Sequence, residues 1–165
     1  MMEIPWMAMY VRSRAEKKAR MDMEESGITC YVPLRKTLRQ WSDRKKKVDM
    51  VVIPSYIFVQ INPKEYMKAF ASPHIVGIVR FENKPALIPH HQIIAMRRII
   101  ESDTEFEVSV ENLQKGDKVK IKYGSLAGIE GEFIEIARNK RFILQIKQIG
   151  FSLSVQVPHD YLEFM

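Results

Sequence analysis

The sequence has a single cysteine, Cys30, and no run of 18 or more apolar residues among its 165 positions. One cysteine excludes an intramolecular disulfide and a cysteine cluster for zinc, and we expect Cys30 to pack in the core. The absence of a long apolar run excludes a membrane-spanning helix, and the first residues lack the basic and apolar regions of a signal peptide. These absences predict a soluble cytoplasmic protein that does not bind membranes.

The residue patterns that carry enzymatic chemistry are also missing. The four histidines lack the spacing and the cysteine or carboxylate partners of a metal site; they are His74, His90, His91 and His159. The glycines of residues 116–131 lack the Lys-Ser/Thr ending of a phosphate-binding loop, and there is no nucleophile elbow or dinucleotide fingerprint. The sequence therefore predicts a protein that is not an enzyme and holds neither a metal nor a cofactor.

Charge is distributed unevenly along the chain. Residues 1–100 carry 18 Lys and Arg against 9 Asp and Glu, whereas residues 101–165 carry 8 against 11. The front part is therefore strongly basic and the rest mildly acidic, within a total of +6. Because neutralising phosphates releases counterions, a nucleic acid should bind the front part.

The composition also divides the chain into two domains. Seven of the eight prolines precede residue 100 and five of the seven glycines follow residue 115. Residues 101–112 carry five acids and no basic residue, which is typical of a self-repelling, extended linker. We predict a domain at residues 1–103, a linker at 104–112 and a second domain at 113–165.

The first domain is predicted to alternate strands and helices. Strands are expected at 6–11, 28–34, 55–59 and 75–81, because these runs are apolar, β-branched and aromatic. Helices are expected to begin at a capping box, Ser13-Arg14-Ala15-Glu16, at Asn62 and at Pro89. This order is the split βαβ arrangement of ferredoxin-like domains.

Two further segments have distinct patterns. Residues 35–47 contain seven basic residues, one acid and Trp41, which predicts a solvated hairpin or loop. In the second domain, strands are expected at 118–122, 132–137, 142–147 and 152–157, separated by glycine turns. A small barrel is predicted there because closure removes exposed strand edges.

Several motifs, in this order, resemble a known family. They are Trp6 to Tyr10, Ile53-Pro54-Ser55-Tyr56-Ile57-Phe58-Val59, Val79-Arg80-Phe81 followed by Pro85-Ala86-Leu87-Ile88-Pro89, and Gly116-Asp117-Lys118 leading to the Gly-x-x-x-Gly-x-x-Gly spacing of residues 124–131. The chain resembles the NusG/RfaH superfamily of transcription elongation factors over essentially its whole length. The resemblance implies an α+β protein: a ferredoxin-like N-terminal NGN domain followed by an SH3-like, all-β KOW barrel.

Two details are most similar to the operon-specific branch, RfaH and the UpxY-type antiterminators of capsular polysaccharide operons. One is the strand Tyr56 to Val59, and the other is the short spacer between Val79-Arg80-Phe81 and Pro85-Ala86. Ser55 departs from the family, which has glycine or asparagine there.

The resemblance implies that the N-terminal domain binds the clamp helices of the RNA polymerase β′ subunit. The implied contact residues are aromatic or apolar: Tyr10, Tyr56, Phe58, Phe81, Ile93 and Met96. Tyr56 and Phe58 are two apart on a strand and so share one face of the sheet. The alternative for these side chains is ordinary core packing.

The resemblance also implies contact with the non-template DNA strand of the transcription bubble. The candidate residues are basic: Arg12, Arg14, Lys17, Arg20, Arg44, Lys45, Lys46, Lys47, His74 and Arg80. The segment 44–47 lies in the predicted hairpin and is a candidate for upstream duplex DNA. For any single lysine there, the alternative is a solvated surface with no partner.

The predicted function is a monomeric processivity factor that suppresses pausing and termination. By resemblance, its KOW domain would recruit a small-subunit ribosomal protein or the termination factor Rho. The alternative function is a KOW-containing RNA-binding or ribosome-associated module that acts without polymerase. Such a module would need the basic surface but not the aromatic one.

Overall fold

The computed structural model describes residues 4–40, 44–110, 116–136 and 139–165. Trp41 and residues 111–112 of the predicted linker lie outside these ranges. The chain divides into two compact units, Met1–His90 and His91–Met165. The structure thus groups most of the helix that follows Pro89 with the second unit, and the predicted linker at 104–112 stays a prediction.

Within its described residues, 4–40 and 44–90, the first unit contains nine strands, one 3-10 helix and one complete α-helix. The strands are β1 (Trp6–Val11), β2 (Thr29–Tyr31), β3 (Leu34–Gln40), β4 (Lys45–Val51), β5 (Tyr56–Gln60), β6 (Ile75–Ile78), β7 (Arg80–Phe81), β8 (Lys84–Pro85) and β9 (Leu87–Ile88). The α-helix is α1 (Glu16–Glu25), and the 3-10 helix spans Pro63–Ala71.

The main sheet of this unit has the order β2-β5-β1-β6, with β9 pairing beside β6 on β1. All of its pairings are antiparallel. Strand β1, helix α1 and strand β2 thus form a crossover in which β5 lies between the two strands. This is the split βαβ topology that the sequence predicts, with its strands at the expected places.

One face of this sheet carries the hydrophobic core. Met7, Met9 and Val11 alternate along β1 and pack with Ala19 and Met23 of α1. Cys30 packs against the same cluster, as expected. Burial raises the pKa of its thiol to about 11, so it stays protonated at neutral pH. The alternate residues of β1, among them Tyr10, face the other way.

The start of α1 differs from the prediction. Ala15 occupies the N-cap position without a side-chain cap. The prediction of a capping box from Ser13 to Glu16 is therefore wrong. The Glu16 carboxylate instead accepts a hydrogen bond from the backbone N–H of Ser55, at 3.0 Å. A long-range partner therefore replaces the local one that the sequence pattern indicates.

The second helical segment begins where predicted but is a 3-10 helix. Asn62 caps it, because its side-chain oxygen accepts from the N–H of Lys64 at 3.0 Å, and Pro63 follows at the first helical position. Glu65 departs from helical geometry, with φ −111° and ψ 15°, and interrupts the helix. The predicted cap is confirmed, while the type of helix is not.

The basic segment forms the antiparallel hairpin β3-β4, in register from Leu34 opposite Val51 to Gln40 opposite Lys45. The sequence predicts either a hairpin or a loop here, and the structure shows the hairpin. We call β3 and β4 together the basic ribbon. A second, smaller hairpin joins β7 to β8 through Glu82 and Asn83, which both have positive φ as a two-residue turn of mirror-image type requires.

The described part of the second unit contains six strands. They are β10 (Phe106–Ser109), β11 (Asp117–Ile121), β12 (Glu130–Ile136), β13 (Asn139–Ile146), β14 (Phe151–Val155) and β15 (Leu162–Phe164). They form one antiparallel sheet in the order β10-β14-β13-β12-β11-β15. The four predicted strands are among them, and closure of this sheet into a KOW barrel stays a prediction.

Helix α2 (His90–Glu101) leads into this sheet. The Gln92 side chain donates to the Gln145 carbonyl oxygen at 3.5 Å, and the Arg98 guanidinium donates to the Ser125 carbonyl oxygen at 2.8 Å. In the described parts of the chain, neither α2 nor any other helix has the length and hydropathy needed to span a bilayer.

Candidate functional site

Two tyrosines lie side by side on the main sheet of the first unit. Tyr10 of β1 and Tyr56 of β5 are directly opposite in the antiparallel register, and their ring centroids are 5.2 Å apart at an interplanar angle of 50°. Tyr10 is 40% exposed and Tyr56 is partly buried. We call these two residues the tyrosine pair. Side chains opposite each other on adjacent strands share a face, so both rings belong to one surface.

The turn before β5 sets the backbone position of Tyr56. Ser55 has a left-handed backbone, with φ +68°, and its carbonyl oxygen accepts from the Val11 N–H at 3.0 Å. The buried Glu16 carboxylate holds the Ser55 N–H, as described above. Glycine and asparagine adopt this backbone most readily, so Ser55 holds a conformation that is costly for a residue with a Cβ.

The hydroxyl groups of the tyrosine pair interact. Burial and a hydrogen bond with Tyr10 together raise the pKa of Tyr56 to about 12. The Tyr56 phenol therefore stays neutral at physiological pH and keeps its hydrogen-bonding proton. A neutral phenol on an accessible aromatic surface can bury its ring against a protein partner while its hydroxyl makes a hydrogen bond.

Space is open on the other side of Tyr10. Its neighbour in register on β6 is Gly77, where an added Cβ would meet no atom within 4 Å. The register shifts just beyond this pair, and Val76 is left 59% exposed. The surface beside Tyr10 therefore includes an open position at Gly77 and the exposed apolar side chain of Val76.

The other predicted polymerase contacts do not join this surface. Phe58, Ile93 and Met96 have no exposed area; as placed here they are core residues, the alternative that the sequence left open. Phe58 lies against Tyr31, with ring centroids 6.3 Å apart. The surface formed by the tyrosine pair is therefore built without these three side chains, and their contact with polymerase stays a prediction.

Phe81 occupies a second apolar surface. It is 41% exposed at the end of β7 and lines an open groove of about 470 Å³. Pro63, Pro85 and Leu87 line the groove with it, and Glu82 and Lys84 complete the lining. Phe81 therefore remains available to a partner, on a hairpin separate from the tyrosine pair.

Two of the predicted nucleic-acid residues meet at one loop. The Arg12 side chain donates to the Pro73 carbonyl oxygen at 3.0 Å, and the Arg12 N–H donates to the His74 carbonyl oxygen at 2.9 Å. From α1, Asp22 accepts from the Ser72 hydroxyl at 2.6 Å and lies 4.0 Å from the His74 imidazole. The structure thus brings Arg12 and His74 together and fixes them.

The remaining basic residues are spread over the surface of the unit. Lys17 donates to the Asp49 carbonyl oxygen at 2.8 Å and so connects α1 to the basic ribbon. Arg20 lies 3.9 Å from Glu24 in an i, i+4 pair. Arg14, with φ +60°, and Arg80 are exposed.

The basic ribbon contributes the densest charge. Its residues Lys45, Lys46 and Lys47 are all exposed, as is Arg44, which directly precedes β4. Because side chains alternate along a strand, Lys45 and Lys47 share one face and Lys46 lies on the other. The Cα atoms of these two lysines on one face are roughly 7 Å apart along β4.

Sequence reasoning missed three residues of this region. Glu16 was interpreted as a helix cap, and Asp22 and Ser72 carried no signal because their contact spans 50 positions. Among the described residues, no group of three or more His, Cys, Asp or Glu could hold a metal ion.

Comparisons with known proteins identify the family. The sequence profile of the family described as "NusG: Transcription termination factor nusG" matches residues 5–97, which is more than half of the chain. A solved structure, "Domain interaction in Thermotoga maritima NusG", is 20% identical with a TM-score of 0.51, and the alignment covers 96% of each chain. That likeness supports the shared fold.

A second solved structure is more distant. The "MjSpt4:Spt5 complex conformation B" is 14% identical with a TM-score of 0.32, over 96% of this chain and 95% of that chain. A search of curated proteins by sequence finds no match. On the profile match over residues 5–97, this chain belongs to the NusG family of transcription factors.

Proposed function

We propose that this chain is a transcription elongation and antitermination factor whose first unit binds the β′ clamp helices of RNA polymerase through the tyrosine pair. The supporting observation is the placement of Tyr10 and Tyr56: two adjacent rings, one of them 40% exposed, on the two central strands of the main sheet, beside Gly77, where an added Cβ would meet no atom within 4 Å. Tyrosines in such positions are the residues that most often dominate binding energy in protein interfaces. Phe81 would add a second, smaller contact.

Such a factor would act by preferring one state of the polymerase. If it binds the closed clamp more tightly than the open clamp, it shifts the population towards the closed, elongating enzyme. Pausing and termination, which require the clamp to open, would then become less frequent. No covalent step is needed, in keeping with a transcription factor that is not an enzyme.

The loop that carries Arg12 and His74 is proposed to contact the non-template strand. Its backbone is held by Asp22 and Ser72, so the two basic side chains are presented with little freedom to lose. Arg14, Lys17, Arg20 and Arg80 would add long-range attraction. If about four phosphates are neutralised, the slope of log K against log salt should be near −3.

We further propose that the chain is specific to one operon, of the capsular polysaccharide type. The support is its own sequence: the strand Tyr56 to Val59 and the short spacer between Phe81 and Pro85 are similar to the UpxY-type branch. A template that carries the chain's own operon leader should therefore respond more strongly than an unrelated template.

The second unit is proposed to be a KOW barrel that recruits a further protein, either a small-subunit ribosomal protein or Rho. Tethering to the first unit raises the local concentration of that partner at the polymerase. The chain would work in the cytoplasm, as a monomer.

In vitro transcription tests the proposal. The purified protein should lengthen transcripts past pauses and terminators, and Tyr10→Ala combined with Tyr56→Ala should remove this effect because the docking rings are lost. Met67→Ala is the matched control: it truncates an exposed apolar side chain of the same unit, 63% exposed, outside the proposed contacts.

Two results would contradict the proposal. One is an unchanged pattern of pauses with the wild-type protein. The other is RNA binding that persists in the double variant without any polymerase binding by either protein, which would favour an RNA-binding module that acts alone.

A further inference from the structure

The tyrosine pair lies at the point where the regular pairing of β1 ends. Tyr10 opposite Tyr56 is the final pair in the register between β1 and β5. On the other side of β1, the register with β6 shifts between Tyr10 and Val11. Because the ends of paired strands open more readily than their middles, the strand pairing alone would leave the two rings free to change position.

The main chain of Ser55 closes this end of the sheet. Its carbonyl oxygen accepts from the Val11 N–H at 3.0 Å. A regular antiparallel pair exchanges two such bonds between the strands. Here the second donor, the Ser55 N–H, donates to Oε1 of Glu16 at 3.0 Å. Both bonds therefore hold the main chain directly beside a member of the tyrosine pair.

Glu16 is firmly anchored on α1. It is the first residue of the helix, and only 5% of it is exposed. Ala19 and Met23 of the same helix are fully buried in the core, which fixes α1 on the sheet. Of the residues whose exposure the structure describes, Glu16 is the only charged one that is buried. Glu16 thus connects a fixed helix to the turn that precedes Tyr56.

The alternative is that Glu16 acts on α1 alone. A negative charge in the first turn of a helix stabilises the helix macrodipole, and Glu16 is the acid in the first turn of α1. That role requires the charge but not contact with Ser55, and an exposed side chain can fill it. The burial of Glu16 and its bond with the Ser55 N–H favour the role in the turn.

We propose that Glu16 is a positioning residue for polymerase docking, which keeps the tyrosine pair in one arrangement by holding the Ser55 N–H. This role rests on the proposed function, in which the two rings contact the clamp helices. Side chains that are already ordered lose less conformational freedom on binding. Loss of the Glu16 contact should therefore weaken polymerase binding, although Glu16 is buried and does not touch the partner.

Two conservative variants separate the position of the carboxylate from its charge. Glu16→Gln keeps the side-chain length and an acceptor oxygen but removes the charge, whereas Glu16→Asp keeps the charge on a side chain that is one methylene shorter. Binding of each full-length variant to core RNA polymerase is measured by titration with a fluorescently labelled chain. Glu16→Asp should weaken binding about tenfold, which corresponds to the loss of one hydrogen bond, and Glu16→Gln should stay within about threefold. A role confined to the helix macrodipole predicts the reverse order.

A second measurement does not involve polymerase. Burial and the hydrogen bond with Tyr10 raise the pKa of Tyr56 from 10.0 to about 12. If Glu16→Asp releases the turn, Tyr56 becomes more exposed and its hydroxyl separates from Tyr10, so the pKa of Tyr56 should fall towards 10. NMR of ring-labelled tyrosine follows this titration. In Glu16→Gln, and in the control Glu25→Gln, which changes an exposed acid of the same helix, the pKa should stay at about 12.

A double-mutant comparison tests whether Glu16 acts through the rings. In a Tyr56→Ala background, Glu16→Asp should reduce polymerase binding by no more than about twofold, because the ring that Glu16 positions is gone. Circular dichroism checks that each variant is folded. If Glu16→Asp does not fold, Glu16→Gln decides alone: polymerase binding and a Tyr56 pKa like those of the wild type support the role in the turn, and loss of either contradicts it.

Three results would overturn this proposal. They are a greater loss of binding in Glu16→Gln than in Glu16→Asp, an unchanged pKa of Tyr56 in folded Glu16→Asp, and an equal effect of Glu16→Asp with and without the Tyr56 ring. Failure of the proposed function has a different signature. The pKa of Tyr56 would then respond to Glu16→Asp as expected, while neither Tyr56→Ala nor Glu16→Asp would weaken polymerase binding.

Discussion

Ser55 has an unfavourable backbone conformation and directly precedes Tyr56 of the tyrosine pair. Its φ of +68° belongs to the left-handed region, which costs a residue with a Cβ about 1–2 kcal/mol. Glycine avoids that cost but loses about 0.5–1 kcal/mol through the greater freedom of the unfolded chain. We therefore expect Ser55→Gly to stabilise the first unit by about 0.5–1 kcal/mol.

Urea unfolding of the two proteins measures this difference. Ser55→Val, which is β-branched, should move the free energy of unfolding in the opposite direction, because such side chains tolerate positive φ least. Equal stabilities for the glycine and valine variants would mean that the left-handed turn before Tyr56 is absent.

The titration of Tyr56 reports the contact within the tyrosine pair. Its pKa is raised from 10.0 to about 12, first by burial and then by the hydrogen bond with Tyr10. The folded state therefore holds this proton more tightly than the unfolded state. The resulting stabilisation is complete below pH 10 and is lost as the pH rises from 10 through 12.

Tyr10→Phe removes one hydroxyl and leaves both rings in place. We expect the pKa of Tyr56 to fall towards 10, because the hydrogen bond that favours the neutral phenol is gone. NMR of ring-labelled tyrosine resolves the residue during an alkaline titration. An unchanged Tyr56 pKa in the variant would show that the two hydroxyls do not interact.

At the scale of elements, Gly131 controls the packing of β12 on β13. A Cβ there would lie 2.5 Å from a ring carbon of Phe142 and 2.6 Å from the Ile143 carbonyl oxygen. Gly131→Ala should therefore destabilise the second unit by about 1–3 kcal/mol, the usual cost of overpacking. Thermal unfolding measures the change.

Gly77→Ala is the matched control, because a Cβ there meets nothing within 4 Å. It should stay within about 0.5 kcal/mol of the wild type. If the two alanine variants were equally stable, Phe142 could not lie as close to Gly131 as the structure places it.

The basic ribbon offers a test of nucleic-acid binding. Lys45→Glu with Lys47→Glu reverses two charges on one exposed face and should weaken binding to DNA, with a salt slope shallower by about 1–2. Lys64→Glu with Lys68→Glu makes the same net change on the 3-10 helix, outside the proposed contact, and should have a smaller effect. Equal losses would point to a general effect of net charge.

Elements defined by local patterns were predictable, and those that depend on distant partners were not. The continuous apolar run of β1 and the side chain of Asn62 identify a strand and a cap directly. Glu16 satisfies the capping pattern as well, yet its partner is Ser55, 39 positions away. Likewise, the pattern of Phe58 allows an interface or a core, and only the packing around Tyr31 decides for the core.

For the whole molecule, the account rests on a division of tasks between the two units. The first unit carries the tyrosine pair and most of the positive charge, while the second unit is nearly neutral. A chain of this kind can hold two different partners at once, provided that neither surface is consumed by the other task. Variants of the tyrosine pair should therefore leave the binding of the proposed second partner by the second unit unchanged.

The most direct measurement is site-specific cross-linking in a stalled elongation complex, with a photoreactive amino acid replacing Tyr56 in one protein and Met67 in another. Both positions lie in the first unit, but only Tyr56 belongs to the tyrosine pair. The account predicts a cross-link from position 56 to the clamp helices of the β′ subunit and none from position 67. Cross-links from position 67 alone, or from neither position while the protein is bound to the complex, would contradict it.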